Sequence, residues 1–90
     1  MKITKEIVET LNTKLEKLGC NFCYEMMKTN DYVPTIRRTI KDTIGFVDSA
    51  MINCTDKFYD WLNAFFAEYG IKLQYNNTRE ICWSKDYSMF

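Results

Sequence analysis

The feature that most constrains the fold is a change in hydrophobic spacing that occurs twice, each time at a glycine. Before Gly19 and before Gly70, apolar residues recur every three or four positions, as on one face of a helix. After each glycine, apolar and polar residues alternate, as in a strand with one buried face. Glycine suits both breaks because it readily adopts the left-handed conformation that ends helices. The chain therefore predicts an α+β fold.

The N-terminal part predicts a helix from about Thr4 to Leu18, followed by a strand within Cys20 to Lys28. In the strand, Phe22, Tyr24 and Met26 alternate with polar or small residues. A helical interpretation of this second segment stays open, and it would make the domain mostly α with a C-terminal hairpin. The apolar stripe of the helix consists of Ile3, Ile7, Val8, Leu11, Leu15 and Leu18.

The middle of the chain predicts a second helix that begins near Pro34. Proline suits the first helical position. A spacing of four places Ile36, Ile40 and Ile44 on one helix face, and Val47 and Met51 extend it. Arg38 and Asp42 would interrupt the apolar face of a strand, so the pattern favours helix over strand.

The C-terminal part predicts a third helix and a hairpin. Thr55 is a good N-cap, and the helix runs to Tyr69. A three-residue turn at Asn76–Thr78 would pair Leu73 with Ile81 and Ile71 with Trp83. The predicted fold is therefore three helices packed on a small antiparallel sheet, made of the single strand and the C-terminal hairpin. Ninety residues fit one domain, residues 1–90.

The charge is balanced, with 12 basic and 12 acidic residues and no histidine. This argues against nucleic-acid binding through a broad basic surface, which needs several Lys or Arg on phosphates. No apolar run approaches the ~18 residues of a membrane span, and the N-terminus does not resemble a signal peptide. We therefore expect no membrane partner and a location in the host cytosol.

The four cysteines, Cys20, Cys23, Cys54 and Cys82, leave three interpretations open. Four thiolates would suffice for a zinc site, but structural zinc sites usually use two closely spaced pairs and only one is present. The Cys20-Asn21-Phe22-Cys23 pair follows a helix C-terminus, whereas redox pairs begin at a helix N-terminus. The favoured interpretation is scattered buried cysteines in a reducing cytosol, with no metal and no cofactor.

Catalytic patterns are lacking, since there is no imidazole base and no phosphate-binding glycine motif. We therefore expect a non-enzymatic protein. Aromatic residues make up 16% of the chain, and they favour a protein-binding module with homodimerisation through the same surface as a companion prediction. The candidate binding residues are Tyr59, Trp61, Phe66, Trp83, Tyr87, Phe90, Arg37 and Arg38.

Size and a composition rich in Lys, Ile, Asn and Tyr are similar to those of small phage and mobile-element proteins. By analogy, the predicted role is stoichiometric inhibition of a host enzyme or immunity complex, as anti-CRISPR proteins do. The alternative is a nucleic-acid or nucleotide binder that uses Arg37, Arg38 and Lys41 together with the C-terminal hairpin. Salt dependence of binding would separate the two.

Overall fold

The computed structural model describes residues 2–27, 34–40 and 55–84. These ranges contain two helices and four strands, which form a small α+β fold. Neither described helix is long and apolar enough to cross a membrane. In chain order, the elements are α1 (Lys5–Lys17), β1 (Phe22–Met26), β2 (Thr35–Ile40), α2 (Asp56–Ala67), β3 (Leu73–Tyr75) and β4 (Ile81–Ser84).

Both helices end where the spacing of apolar residues changes. The hydroxyl of Thr4 caps α1 by accepting a hydrogen bond from the Ile7 N–H at 3.3 Å. Gly19 and Gly70 follow the two helices with φ angles of 81° and 75°, a conformation that costs glycine little. These glycines turn the chain from each helix into an extended segment, as predicted. The strand predicted after Gly19 is confirmed as β1.

The strands form one antiparallel sheet in the order β1-β2-β4-β3. The prediction of a helix beginning near Pro34 is wrong for residues 35–40, which form β2. The remainder of that predicted helix, including Ile44, Val47 and Met51, lies outside the described residues. The predicted sheet of one strand plus a hairpin therefore gains a central strand, which pairs with β1 on one side and β4 on the other.

Arg38 explains why the sequence pattern pointed to a helix here. A strand places Arg38 on the same face as Ile36, which is fully buried, and a charged residue on an apolar face argues against a strand. Its guanidinium instead donates a hydrogen bond to the Tyr59 hydroxyl at 2.8 Å and lies 5.8 Å from the centre of the Phe22 ring. The long side chain thus lies on the helix-covered face with its charged end hydrogen-bonded.

The C-terminal hairpin forms, but its register differs from the prediction. Leu73 lies opposite Ser84 and Tyr75 lies opposite Cys82, so the pairing is displaced by three residues. An odd displacement exchanges the two faces of one strand relative to the other. Cys82 and Ser84 therefore face the helices, whereas Ile81 and Trp83 lie on the opposite face. The turn is longer than predicted because the Asn76 side chain accepts the Ile81 N–H at 3.1 Å.

The core lies between the helices and one face of the sheet. Phe22 and Tyr24 from β1, Ile36 from β2 and Cys82 from β4 share that face. The Phe58 ring of α2 meets the Phe22 ring edge-on at 5.4 Å, a favourable aromatic geometry. Ile3 and Ile71, just outside the helices, are also buried, and the helices supply the remaining large core side chains: Ile7, Val8, Leu11, Leu15, Tyr59, Leu62, Phe65 and Phe66.

Candidate functional site

The structure separates the aromatic residues that were predicted to bind a partner. Phe66 is completely buried and Tyr59 is 6% exposed, so both rings pack largely within the core. Trp61 and Trp83 are half-buried. They lie on different sides of the sheet and do not form one surface. Tyr87 and Phe90 lie outside the described residues, as does Lys41.

Trp61 lies in a shallow groove between the helices. Its ring stacks 6.0 Å from the Phe58 ring and 6.1 Å from the Phe65 ring. The groove is completed by Leu18, which is 40% exposed, and by the α1 lysines Lys14 and Lys17. Most of the tryptophan surface therefore supports the core, and only one part of it reaches the groove.

The two predicted binding arginines lie on opposite faces of β2. Arg37 extends from the face away from the helices and forms an exposed ion pair with Glu25 at 3.2 Å. Arg38 turns toward the helices and reaches Tyr59. An alternation of this kind is inherent in a strand. The basic cluster that a helix would have formed from these residues is therefore not present in β2.

The cysteines also lie apart. Cys20 and Cys82 are buried and Cys23 is half-buried, while Cys54 is outside the described residues. Within ranges 2–27, 34–40 and 55–84, no three His, Cys, Asp or Glu side chains are close enough to hold a metal ion. Cys20 and Cys82 belong to the hydrophobic core, and Cys23 does not.

The two edges of the sheet differ in how their main-chain groups are satisfied. On β1, Tyr24 directs its N–H and C=O away from β2, because hydrogen-bonded and non-hydrogen-bonded pairs alternate along antiparallel strands. The Asn12 side chain meets both groups, donating to the Tyr24 carbonyl at 2.8 Å and accepting from its N–H at 2.8 Å. The centre of this edge is thus occupied by α1.

Among the described residues, the opposite edge, β3, has no such cover. Asn76 donates its N–H to the Ile81 carbonyl at 3.0 Å, so Asn76 and Ile81 form a hydrogen-bonded pair between β3 and β4. Hydrogen-bonded and non-hydrogen-bonded pairs alternate along the two strands. The N–H and C=O groups of Gln74 therefore point toward β4, while those of Leu73 and Tyr75 point away from it. In the described parts of the chain, no residue bonds to those four groups. This edge can therefore accept another strand.

Two clefts lie along this open edge, between β3 and one line of residues on α2. The larger, about 560 Å³, lies beside Tyr75, and the smaller, about 290 Å³, lies beside Leu73. Asn63 lines both clefts, so they are adjacent. Besides Tyr59, four α2 residues line them and recur at intervals of four, three and four, which places them on one helix face: Asp56, Asp60, Asn63 and Ala67.

Arg79 forms the far wall of the larger cleft from a strained backbone conformation. Its φ is 62°, which L-residues other than Asn and Asp rarely adopt. Its guanidinium lies 4.9 Å from the centre of the Tyr59 ring and donates to Asp56 at 3.1 Å. Tyr59 therefore lies between two arginines, since Arg38 bonds its hydroxyl from the other side.

Burial controls the ionisation of two groups beside the larger cleft. Desolvation raises the pKa of the Tyr75 phenol well above its ordinary value, so the hydroxyl stays protonated and donates to Asn63 at 2.7 Å. Burial likewise raises the pKa of the Cys82 thiol to about 12, although nearby Arg38 acts in the opposite direction. Both groups are therefore neutral near pH 7.

Sequence reasoning missed the residues of this edge. The spacing of Asp56, Asp60, Asn63 and Ala67 is visible in the sequence, but a solvated helix face has the same pattern. The exposure of β3 depended on β2 entering the sheet between β1 and β4, which the sequence did not indicate. The signal for the site is thus topological.

Comparisons with protein-family models, with curated proteins and with solved structures gave no match.

Proposed function

We propose that this chain is a non-enzymatic protein-binding module that takes up an extended segment of another protein alongside β3. One observation carries the proposal: the outward main-chain groups of Leu73 and Tyr75 are unpaired in the described residues, whereas Asn12 occupies the opposite edge. Extended segments bind such edges by adding a strand, with main-chain hydrogen bonds for affinity and side-chain pockets for specificity. The two clefts beside β3 are suited to serve as those pockets.

Binding of a segment at this edge requires both main-chain hydrogen bonds and side-chain contacts in the clefts. A strand added to β3 can form up to four main-chain hydrogen bonds, each of which contributes about 0.5–1.5 kcal/mol net. These bonds alone fall short of the roughly 8 kcal/mol that corresponds to micromolar affinity. Side chains that enter the clefts must provide the remainder. Partner selection therefore depends on what fits between α2 and β3.

A second copy of this chain suits the edge less well than an isolated segment. Pairing of two β3 strands would bring together side chains that are already held by their own helices. The hydroxyl of Tyr75, for example, is bonded to Asn63. Such a dimer would leave the clefts unfilled, while a segment without packed side chains can fill them. The predicted homodimer is therefore an alternative outcome of the experiment below.

The identity of the partner stays a prediction. The similarity in composition to phage and mobile-element proteins motivates the hypothesis that the partner is a host enzyme or an immunity complex, with anti-CRISPR-like inhibition. Strand addition is compatible with inhibition because an occupied edge or segment cannot serve another partner. The alternative role in nucleic-acid or nucleotide binding loses support, because β2 places Arg37 and Arg38 on opposite faces.

The experiment is a selection of linear peptides from a displayed random library against the intact protein. Enriched peptides are then tested against Leu73→Pro and Leu73→Ala. Both substitutions remove the leucine side chain, but only proline removes the outward N–H, which is not needed by β4. We expect binding to Leu73→Ala to weaken moderately and binding to Leu73→Pro to weaken much further. Urea unfolding checks that both variants are folded.

Amide chemical shifts of the wild-type protein provide a second measurement if Leu73→Pro does not fold. Peptide-induced shifts centred on residues 73–75 would support strand addition. Shifts centred on Trp61 and Leu18 or on Trp83 would overturn it, and so would equal binding by the two variants. A concentration-dependent dimer whose interface maps to β3 would also overturn it, in favour of self-association.

A further inference from the structure

The two clefts along β3 differ in chemical character. The smaller has an aliphatic lining from Ala67, Ile71 and Leu73, with Lys72 and Asn63 as its polar members. The larger contains both carboxylates of the α2 line, both tyrosine rings and a single cation, Arg79. An adjacent pair of unlike pockets would distinguish between side chains of unlike chemistry.

The spacing of the clefts matches the repeat of a strand. Leu73 and Tyr75 are two residues apart and face α2, and each lines one cleft. In a strand added at this edge, the residues opposite Leu73 and Tyr75 project to the same side, about 6.8 Å apart. Their side chains therefore point at the clefts, and the residue between them points to the other face of the sheet.

Charge in the larger cleft favours a cation. Arg79 is already engaged by Asp56 and by the face of the Tyr59 ring. Asp60 has no ion-pair or hydrogen-bond partner among the described residues. Two carboxylates against one guanidinium leave the cleft with a net negative charge. An acidic side chain would instead compete with Asp56 for Arg79 and approach Asp60.

We infer that the segment bound at β3 carries an aliphatic side chain and a lysine or arginine two residues apart, the first for the smaller cleft and the second for Asp60. This inference rests on the proposed strand addition and specifies the chemistry of the partner. The cation can also contact the exposed part of the Tyr75 ring, which stands at the wall of the same cleft. The order of the two side chains depends on whether the added strand runs parallel or antiparallel to β3.

The experiment uses short threonine-rich peptides with blocked ends as probes. Two contain Val-Thr-Lys and Lys-Thr-Val, which cover both strand directions. Two controls contain Val-Thr-Glu, which reverses the charge, and Val-Lys-Thr, which places the side chains on opposite faces of a strand. Affinities are measured by amide chemical-shift titration with the wild-type protein, Asp60→Asn and Glu68→Gln. Glu68 is the control because it is an exposed acid at the C-cap of α2 and lies outside both clefts.

We expect one of the two alternating lysine peptides to bind more tightly than both controls. Asp60→Asn should lower the affinity for that peptide about two- to fivefold at low salt, as for the loss of an exposed ion pair. Glu68→Gln should leave the affinity unchanged. Added salt should reduce the advantage over the glutamate peptide.

Equal or tighter binding of the glutamate peptide would overturn the inference, as would an equal effect of Asp60→Asn and Glu68→Gln. If all peptides bind alike and lose binding in Leu73→Pro, strand addition stands and the charge preference fails. If no probe shifts any amide at millimolar concentration, the inference fails, and the library selection decides the proposed function separately.

Discussion

Asn12 and Tyr24 are joined by two hydrogen bonds of 2.8 Å, so that a helix side chain takes the place that a neighbouring strand would occupy beside β1. An amide side chain has both the donor and the acceptor that a peptide group offers. Asparagine is a poor choice for helix stability, and this contact explains why one stands within α1. The contact occupies the centre of the β1 edge, where an added strand would need the groups of Tyr24.

Asn12→Ala should lower the free energy of unfolding by about 1–3 kcal/mol, because the Tyr24 main-chain groups lose both partners. Urea unfolding measures this change. Thr13→Ala is the matched control, since Thr13 is exposed and bonds only to the Glu9 carbonyl one turn earlier. If the two variants lose equal stability, the Asn12 contact contributes little beyond an ordinary helix side chain.

Hydrogen exchange should distinguish neighbouring amides in β3. The Gln74 N–H is bonded within the sheet and should exchange slowly, while the Leu73 and Tyr75 N–H groups face outward and should exchange quickly. The three residues are adjacent, so local unfolding of the strand would affect them together. Equal protection of all three amides would show that the edge is covered, and it would count against a docking role.

The Arg79→Gly variant should be more stable than the Arg79→Ala variant. Both substitutions remove the Asp56 ion pair and the contact with Tyr59, and they differ in the cost of the positive φ. We expect Arg79→Gly to exceed Arg79→Ala in unfolding free energy by about 1 kcal/mol, because a left-handed conformation costs an L-residue about 1–2 kcal/mol. The comparison is made by urea unfolding. A more stable alanine variant would contradict a left-handed residue 79.

Stability should decline in alkaline solution in a manner that depends on Cys82. The ordinary thiol pKa is 9.0, and burial raises the pKa of Cys82 to about 12 in the folded protein. Because the folded state holds the proton more tightly, the stabilisation is present below pH 9 and is lost as pH rises from about 9 to about 12. In this window the unfolded chain binds one proton fewer at this site.

Cys82→Ala should remove this contribution. Between pH 9 and 11, the unfolding free energy should fall less steeply with pH in the variant. The difference in slope should correspond to the uptake or release of about one proton. The slope is the informative quantity, because the lost side chain lowers stability at every pH. The other titratable groups are common to both proteins, although the raised pKa of Tyr75 depends in part on Cys82. Parallel slopes would show that Cys82 is not shielded from solvent in the folded protein.

The elements that could be predicted are those determined by local pattern. The apolar stripe before Gly19, the alternation after it and the helix before Gly70 each specify one element without reference to the rest of the chain. The strand β2 could not be predicted in this way. Ile36 and Ile40 have a spacing of four that fits both a helix and one face of a strand, and the choice depends on neighbours that pair with it on both sides.

The predicted binding residues show the same limit. The sequence predicts that Tyr59 and Phe66 flank the core stripe of a helix whose apolar arc is wider than a single core contact needs. The structure buries both, so most of the arc is core. Open strand edges follow from strand order, and strand order is not encoded in any local spacing of residues. The edge formed by Leu73 and Tyr75 therefore became visible only in three dimensions.

The central position of β2 has a consequence for the order of folding. β2 meets β4 through pairs such as Ile36 with Cys82, which are far apart in the chain. Closing so long a loop is slow relative to forming a helix or a hairpin. During synthesis, α1, β1 and β2 emerge first, but the sheet cannot be completed until β4 has left the ribosome. Until then, β2 is itself an unpaired edge, and the nascent chain displays a strand that the finished protein conceals.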